Sequence, residues 1–341
     1  MAKNRVSIAI MGLGNVGKNF LSILDRQSNL ISDRTGCEFI IAAASDSRHS
    51  VLYRNGIQPG ELLDLKSGGD ISMKGQPLRA GEMFASSFHV LVDMSTASPD
   101  GKRERDVYVD SMETGKDIVT ANKSPLANHW SDIMGCSRQQ GKSVLFEATV
   151  AGGVPLFSLL KYSCGPSRLV RFRGIVSLTA NFVLRKMGEG LTFERAVRMA
   201  QELGIAETNY TDDTGGVDAA RKTVILANAL FGLNLRLAEF KFQGIPSSAA
   251  TEDSSRLITE IVSGPDGTKV FSGIRKLDAG DFLASFGEMS LGYEVETEFN
   301  GKLRISSVSD GPVETAAAVV NDLMLLAGQK FQGKPGNPVG I

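Results

Sequence analysis

The chain has 341 residues, enough for two domains that each enclose a core. With 42% hydrophobic residues, 22% charged residues and a net charge of −1, it reads as a soluble globular protein with no electrostatic footing for nucleic acid or an anionic membrane. Three cysteines without metal-ligand spacing, no cleavable leader and no membrane-length apolar run suit a reducing, cytoplasmic setting.

Arg5 to Met11 has the composition of a short buried strand and runs directly into Gly12-Leu13-Gly14-Asn15-Val16-Gly17, after which helical spacing begins at Lys18. Gly12 takes the tight turn, Gly14 leaves room for a pyrophosphate, and Gly17 lets the helix lie close to the sheet. The helix N-terminus then offers free N–H groups to a diphosphate. The plainer alternative is a glycine-rich turn without a ligand.

Cys37 to Ala44 is a second strand, ending in Ser45-Asp46-Ser47-Arg48. Asp46 could accept from the adenosine ribose, although it lies beyond the usual spacing of ~20 residues from the glycines. It could equally be a turn residue. Arg48 and its serines could instead hold a 2′-phosphate, so NAD and NADP both remain open. Residues 49–81 are polar, with one short helix expected at 61–66. Phe88 to Met94 is the next strand, and beyond its end Ser95-Thr96 lies where open parallel sheets bind ligands. Thr96 lines the nicotinamide ribose or caps the following helix. After a helix at 105–113, the strand Asp117 to Thr120 feeds Ala121-Asn122-Lys123. A lysine there points into the crevice outside the sheet, unless it is an ordinary solvated lysine. A helix at 129–140 and a strand at 143–150 complete a first domain of residues 1–150.

A second domain is expected over 151–309. In Leu169 to Val176, Arg171 and Arg173 share one face, opposite Val170, Phe172 and Gly174. This implies a sheet covered by helices on one side only. Helices follow at 180–187 and 192–203, the latter with Thr192 as N-cap. The polar stretch Ala206 to Asp218 then opens a helix in which Asp218 and Lys222 share a face at i,i+4. It is either a solvated acidic turn or a site that grips an amino acid beside a proton-transfer lysine. A helix at 251–262 and strands at 269–274 and 293–299 are expected next, giving a mixed sheet. The apolar helix from Thr315 to Leu326 would return residues 310–341 to the first domain.

Taken together, Gly12 to Gly17, Thr120-Ala121-Asn122-Lys123, Glu147 to Pro155, Ala206-Glu207 and above all Asp213-Thr214-Gly215-Gly216-Val217-Asp218-Ala219-Ala220-Arg221-Lys222 resemble the homoserine dehydrogenase family over nearly the whole chain. The resemblance implies a Rossmann-type dinucleotide-binding domain plus a second α/β domain with a mixed sheet covered by helices on one face. It implies NAD(P)-dependent interconversion of aspartate 4-semialdehyde and homoserine, in a short form without a fused kinase or regulatory domain. Lys222 would be the acid/base group, its pKa lowered by burial and a neighbouring lysine, with Lys123 beside the reacting carbon. Glu207 and Asp218 would hold the substrate's ammonium, with Asp213, Thr179 and Gly153 nearby. Cofactor contacts would come from Gly12, Leu13, Gly14, Asn15, Val16, Gly17, Asp46, Arg48, Ser95, Thr96, Asn122 and Gly311. Glu147, Val150 and Gly152 would form a loop for a monovalent cation, Na+ or K+. A homodimer or tetramer is implied. Two departures stand out: Leu178 occupies a turn where the family favours glycine, and Asn209-Tyr210 replaces an Asp-Pro pair. The rival readings are a dehydrogenase of another small amino-acid alcohol or aldehyde, and a silent dinucleotide-binding sensor.

Overall fold

Two sheets carry the structure, a computed structural model that describes residues 4–78, 87–206, 210–246, 252, 254–287 and 290–331. The chain divides into two compact units, Met1–Gly153 with Gly311–Ile341, and Val154–Asp310.

The first unit contains β1 (Asn4–Met11), α1 (Asn15–Arg26), α2 (Ser28–Thr35), β2 (Cys37–Ser45), β3 (Ser50–Ile57), α3 (Pro59–Ser67), β4 (Gln76–Pro77), β5 (Val90–Asp93), α4 (Lys102–Glu113), β6 (Asp117–Thr120), α5 (Lys123–Gln140) and β7 (Val144–Leu145). The strand order is β4-β3-β2-β1-β5-β6-β7. From β2 through β7 the pairings are parallel, and the strands are apolar on both faces because helices cover both: Ile8, Ile10, Val90, Val92 and Val119 are fully buried. The chain leaves β1 to one side for β2 and later returns to its other side as β5. Such a switch point opens a crevice at the strand ends.

Two expectations for this unit change. Within the expected polar stretch lies β3, whose buried Val51, Tyr53 and Ile57 are masked in sequence by Arg54, Asn55 and Gly56. The expected strand at 143–150 is only β7, followed by a 3-10 turn at Glu147–Thr149.

The second unit contains α6 (Leu156–Ser163), β8 (Leu169–Ile175), α7 (Leu178–Gly188), α8 (Phe193–Glu202), α9 (Thr211–Thr214), α10 (Val217–Phe231), β9 (Ser255–Gly264), β10 (Gly267–Lys276), β11 (Leu291–Thr297) and β12 (Gly301–Ser307). Its sheet runs β10-β9-β8-β11-β12 with antiparallel pairings throughout. The mixture of directions expected here occurs instead in the first sheet, where β3 and β4 are antiparallel. Connection length accounts for two of the four pairings: β9–β10 and β11–β12 are hairpins with short turns, which can only join antiparallel neighbours.

The helix expected at 251–262 is, over its described part, largely β9. Leu257, Ile258 and Ile261 fit one face of a helix, but the alternation of Leu257, Thr259 and Ile261 against Arg256, Ile258 and Glu260 decides in favour of a strand once β8 and β10 pair with it. Helices α7 and α10 cover one face. Asn181 Nδ2 donates to the Leu257 carbonyl at 2.9 Å, and the hydroxyls of Thr223 and Thr259 lie 2.6 Å apart. On the opposite face Arg171 and Arg173 pair with Glu260, and Arg173 also with Asp281.

The chain then returns to the first unit as α11 (Pro312–Lys330). Its Val319, Leu323 and Leu326 join Phe20, Leu21 and Leu24 of α1 in one core. Leu323 is fully buried and Val313 is exposed. Leu323→Ala is therefore expected to cost about 2–5 kcal/mol of stability in urea unfolding. Val313→Ala on the same helix should stay within about 0.5 kcal/mol.

Candidate cofactor and substrate sites

The turn after β1 is built on close approach. Gly12 has φ +90°, and a Cβ there would lie 2.5 Å from the Met94 carbonyl and the Ser95 nitrogen. A Cβ at Gly17 would lie 2.3 Å from the Gly12 oxygen, so α1 can begin this close to the turn only with glycine at both positions. A Cβ at Gly14 would meet nothing within 4 Å, and no side chain caps α1. That open side and the uncapped N–H groups suit a diphosphate.

A cavity of about 470 Å³ opens beside this turn, lined by Gly12, Leu13, Gly14, Asp46, Ser95 and Thr96 as the sequence led us to expect. It is also lined by Ser45 and Ser47, the serines beside Arg48, and by Lys66, Arg103 and Glu104, which the sequence did not single out. Asn15, Val16 and Gly17 form the first turn of α1, Arg48 donates to the Gly69 carbonyl, and Asn122 and Gly311 precede α5 and α11 as N-caps. None of these six borders the cavity.

Asp46 is engaged within its own turn. Its carboxylate accepts from the Arg48 and His49 N–H groups at 2.8 Å and pairs with Lys66 at 2.5 Å. Burial alone would raise its pKa, but Lys66 and the two amides outweigh that and hold it at about 2. Lys66 sits on α3, brought here by β3, an element hidden in the sequence. No local spacing could have pointed to it.

In the second unit, Gly216 (φ +78°) leads into α10, and a Cβ there would meet the Gln243 oxygen at 2.7 Å. Asp218 lies in the first turn and Lys222 one turn later. The Lys222 ammonium donates to the Val176 carbonyl at 2.6 Å and pairs with Asp218 at 2.9 Å, with both side chains about nine-tenths buried. Burial disfavours the ammonium, but Asp218, Asp310 and Asp213 overcome this and raise its pKa above 10.5. This reverses the expected lowering. Asp310, at the end of this unit, was not foreseen because nothing links it to α10 in sequence.

The other expected residues are placed as follows. Thr179 Oγ1 donates to the Ile205 carbonyl at 3.0 Å; Glu207, Thr208 and Asn209 lie outside the described residues. Leu178 is the first residue of α7 behind Ser177, whose side chain accepts from Ala180 N–H, and no described residue other than glycine has positive φ. Leucine is therefore accommodated at 178 without the left-handed backbone that would call for glycine. Tyr210 packs edge-on to Phe193, 6.5 Å between centroids. In the first unit, a Cβ at Gly153 would lie 3.0 Å from Glu314 Cβ, Lys123 opens α5, and Gly152 has φ +56°. Glu147 and Val150 are buried, and the Glu147 N–H donates to Asp322 at 2.8 Å. Among the described residues no three His, Cys, Asp or Glu side chains converge as a metal cluster. Nor is any described helix long and apolar enough to cross a membrane.

Comparison with known proteins matches residues 12–147 to the homoserine dehydrogenase NAD-binding domain and residues 155–324 to homoserine dehydrogenase. A homoserine dehydrogenase of Sulfurisphaera tokodaii is 30% identical over 94% of this chain and 98% of its own length. The crystal structure of the Thermoplasma acidophilum homoserine dehydrogenase superposes with a TM-score of 0.86 at 42% identity, covering 95% of this chain and 99% of that one. A putative homoserine dehydrogenase from Archaeoglobus fulgidus gives 0.82 at 28% identity, covering 94% and 99%. With both units matched in order and along nearly their full length, the chain belongs to the homoserine dehydrogenase family of NAD(P)-dependent oxidoreductases.

Proposed function

We propose that the chain interconverts L-aspartate 4-semialdehyde and L-homoserine with NAD(P), using Lys222 as the proton donor and acceptor. The observation that carries this assignment is the Lys222 ammonium, held between the Val176 carbonyl and the Asp218 carboxylate. The bound nicotinamide supplies or accepts the hydride. As negative charge develops on the aldehyde oxygen, the Lys222 ammonium stabilises it and delivers a proton. Asp218 and Asp213, with Glu207, present negative charge to the substrate's α-ammonium and orient it. Lys123 is assigned to the reacting carbon's surroundings.

A raised lysine pKa keeps Lys222 in its ammonium form at neutral pH, the form that reduction requires. Homoserine oxidation needs the proton removed, so its kcat is expected to climb into the alkaline range. Asp218→Asn deletes a carboxylate that raises the Lys222 pKa. The alkaline rise of kcat should then move to lower pH while KM for homoserine increases. Lys222→Ala should lower kcat about 100-fold or more in a spectrophotometric assay. Retained turnover in that variant would refute the assignment.

For the cofactor, the geometry favours NADP. Asp46 is ionised but engaged by Lys66 and its own turn, and Lys66 and Ser47 place an ammonium and a hydroxyl on the cavity lining, which supports recognition of a 2′-phosphate. Lys66→Ala is expected to raise KM for NADP at least about fivefold and leave KM for NAD nearly unchanged, read from parallel assays.

The loop of Glu147, Val150 and Gly152 offers oxygen donors only, which suits a hard cation. We assign it to Na+ or K+, tested by activity with either ion against choline. A homodimer working in the cytoplasm agrees with the family membership and with three buried free cysteines. Light scattering distinguishes dimer from tetramer.

A further inference from the structure

Beside the cofactor cavity, the ends of β5 and β6 are joined by a buried run of polar groups. Asp93, the last residue of β5, is fully buried. Its carboxylate accepts from the Ser95 N–H at 2.8 Å and from the Tyr108 hydroxyl at 2.6 Å. Tyr108, on α4 and also fully buried, lies 2.7 Å from Thr120 Oγ1. Thr120 Oγ1 in turn accepts from the Asn122 N–H at 2.9 Å, and Asn122 Nδ2 closes the ring by donating to Ser95 Oγ at 3.3 Å.

Burial pushes the Asp93 carboxyl up, opposed by its hydrogen bonds from Ser95 and Tyr108; whenever it is ionised, a single set of hydroxyl directions serves this run. Tyr108 must donate to Asp93, so Thr120 donates to Tyr108 while accepting from Asn122. Hydrogen bonds aligned head to tail in a dry interior reinforce one another, and the loss of one oxygen leaves partners on both sides unsatisfied.

What the ring ties together is more informative than its stability. Ser95 begins the Ser95-Thr96 segment that lines the cofactor cavity. Asn122 caps α5, whose first residue is Lys123. A second constraint acts at the same place: Gly101 (φ +69°) precedes α4, and a Cβ there would lie 2.4 Å from the Ser124 carbonyl carbon and the Pro125 nitrogen. The start of the helix carrying Tyr108 is therefore pressed against the start of the helix carrying Lys123.

We propose that Tyr108, acting through Asp93 and Thr120, is a positioning residue for hydride transfer, setting the spacing between the Ser95-Thr96 segment and Lys123. The proposal rests on the reading of this unit as the NAD(P) site, with Lys123 beside the reacting carbon. It separates two properties that an ordinary core residue would change together. The diphosphate turn at Gly12 to Gly17 and the Lys66 corner contribute no side chain to the ring, so its loss is expected to change alignment more than cofactor affinity.

The experiment compares Tyr108→Phe, Thr120→Val and Thr120→Ser with the unsubstituted protein. Tyr108→Phe removes the hydroxyl that makes both hydrogen bonds and keeps the aromatic side chain's packing. We expect its NADPH Kd, from fluorescence titration, to stay within about twofold while kcat for homoserine oxidation falls about tenfold or more through misalignment. The primary isotope effect on kcat with homoserine deuterated at C4 should rise, because hydride transfer becomes slower relative to product release. Thr120→Val should behave like Tyr108→Phe, and Thr120→Ser, which keeps the hydroxyl, like the unsubstituted protein. Unchanged kcat and isotope effect in Tyr108→Phe or Thr120→Val would overturn the proposal and leave the cofactor reading intact. A Thr120→Ser variant as impaired as Thr120→Val would also overturn it. Absence of any NAD(P)-dependent homoserine turnover in the unsubstituted protein would overturn both.

Discussion

An ammonium kept charged in a nearly dry setting is the constraint on which the second unit depends. Lys222 is nine-tenths buried, and its charge persists because Asp218 pairs with it, Val176 accepts from it, and Asp310 and Asp213 add their fields. Removing one member of such a pair leaves the other stranded, at a cost of about 3–5 kcal/mol. The linkage follows directly. A lysine whose folded pKa lies above its unfolded value contributes stability in full below about pH 10.4, and that stability is lost as pH rises through the folded pKa. The contacts that keep Lys222 charged therefore also hold α10 to Val176, the residue after β8.

The first unit depends on a steric rather than an electrostatic constraint. The backbone at Gly12 passes so close to Met94 and Ser95 that any side chain would collide with main-chain atoms. This proximity brings the diphosphate turn and the Ser95-Thr96 segment to one crevice at the switch point between β1 and β5. The ring through Asp93, Tyr108 and Thr120 extends the same alignment to Asn122. Close backbone contacts thus organise the first unit, and a buried ion pair organises the start of α10 in the second.

The legible parts of the sequence were those whose chemistry is local. The glycine turn, the Asp218–Lys222 helix and the alternation of Arg171 and Arg173 each state their geometry within a dozen residues, and the structure places them accordingly. What escaped was set by contacts between distant segments. Helical spacing in 251–262 gave way to strand pairing, because Leu257, Thr259 and Ile261 bury against α7 and α10 only when β8 and β10 flank them. Lys66 reached the cofactor cavity on α3 behind the unforeseen β3. Asp310 reached Lys222 from 88 residues away along the chain, and its field helped turn an expected fall in pKa into a rise. The ring around Tyr108 was equally hidden, since its members come from β5, α4 and the β6–α5 connection.

The central claim is that this chain moves a hydride between nicotinamide and the terminal carbon of a four-carbon amino acid. The most direct measurement is the fate of that hydride. The protein is incubated with aspartate 4-semialdehyde and NADPH carrying deuterium at the transferable C4 position, and the product is analysed by mass spectrometry. The account predicts homoserine with a single deuterium, on C4. Homoserine without deuterium, or no homoserine at all while NADPH remains bound, would contradict it.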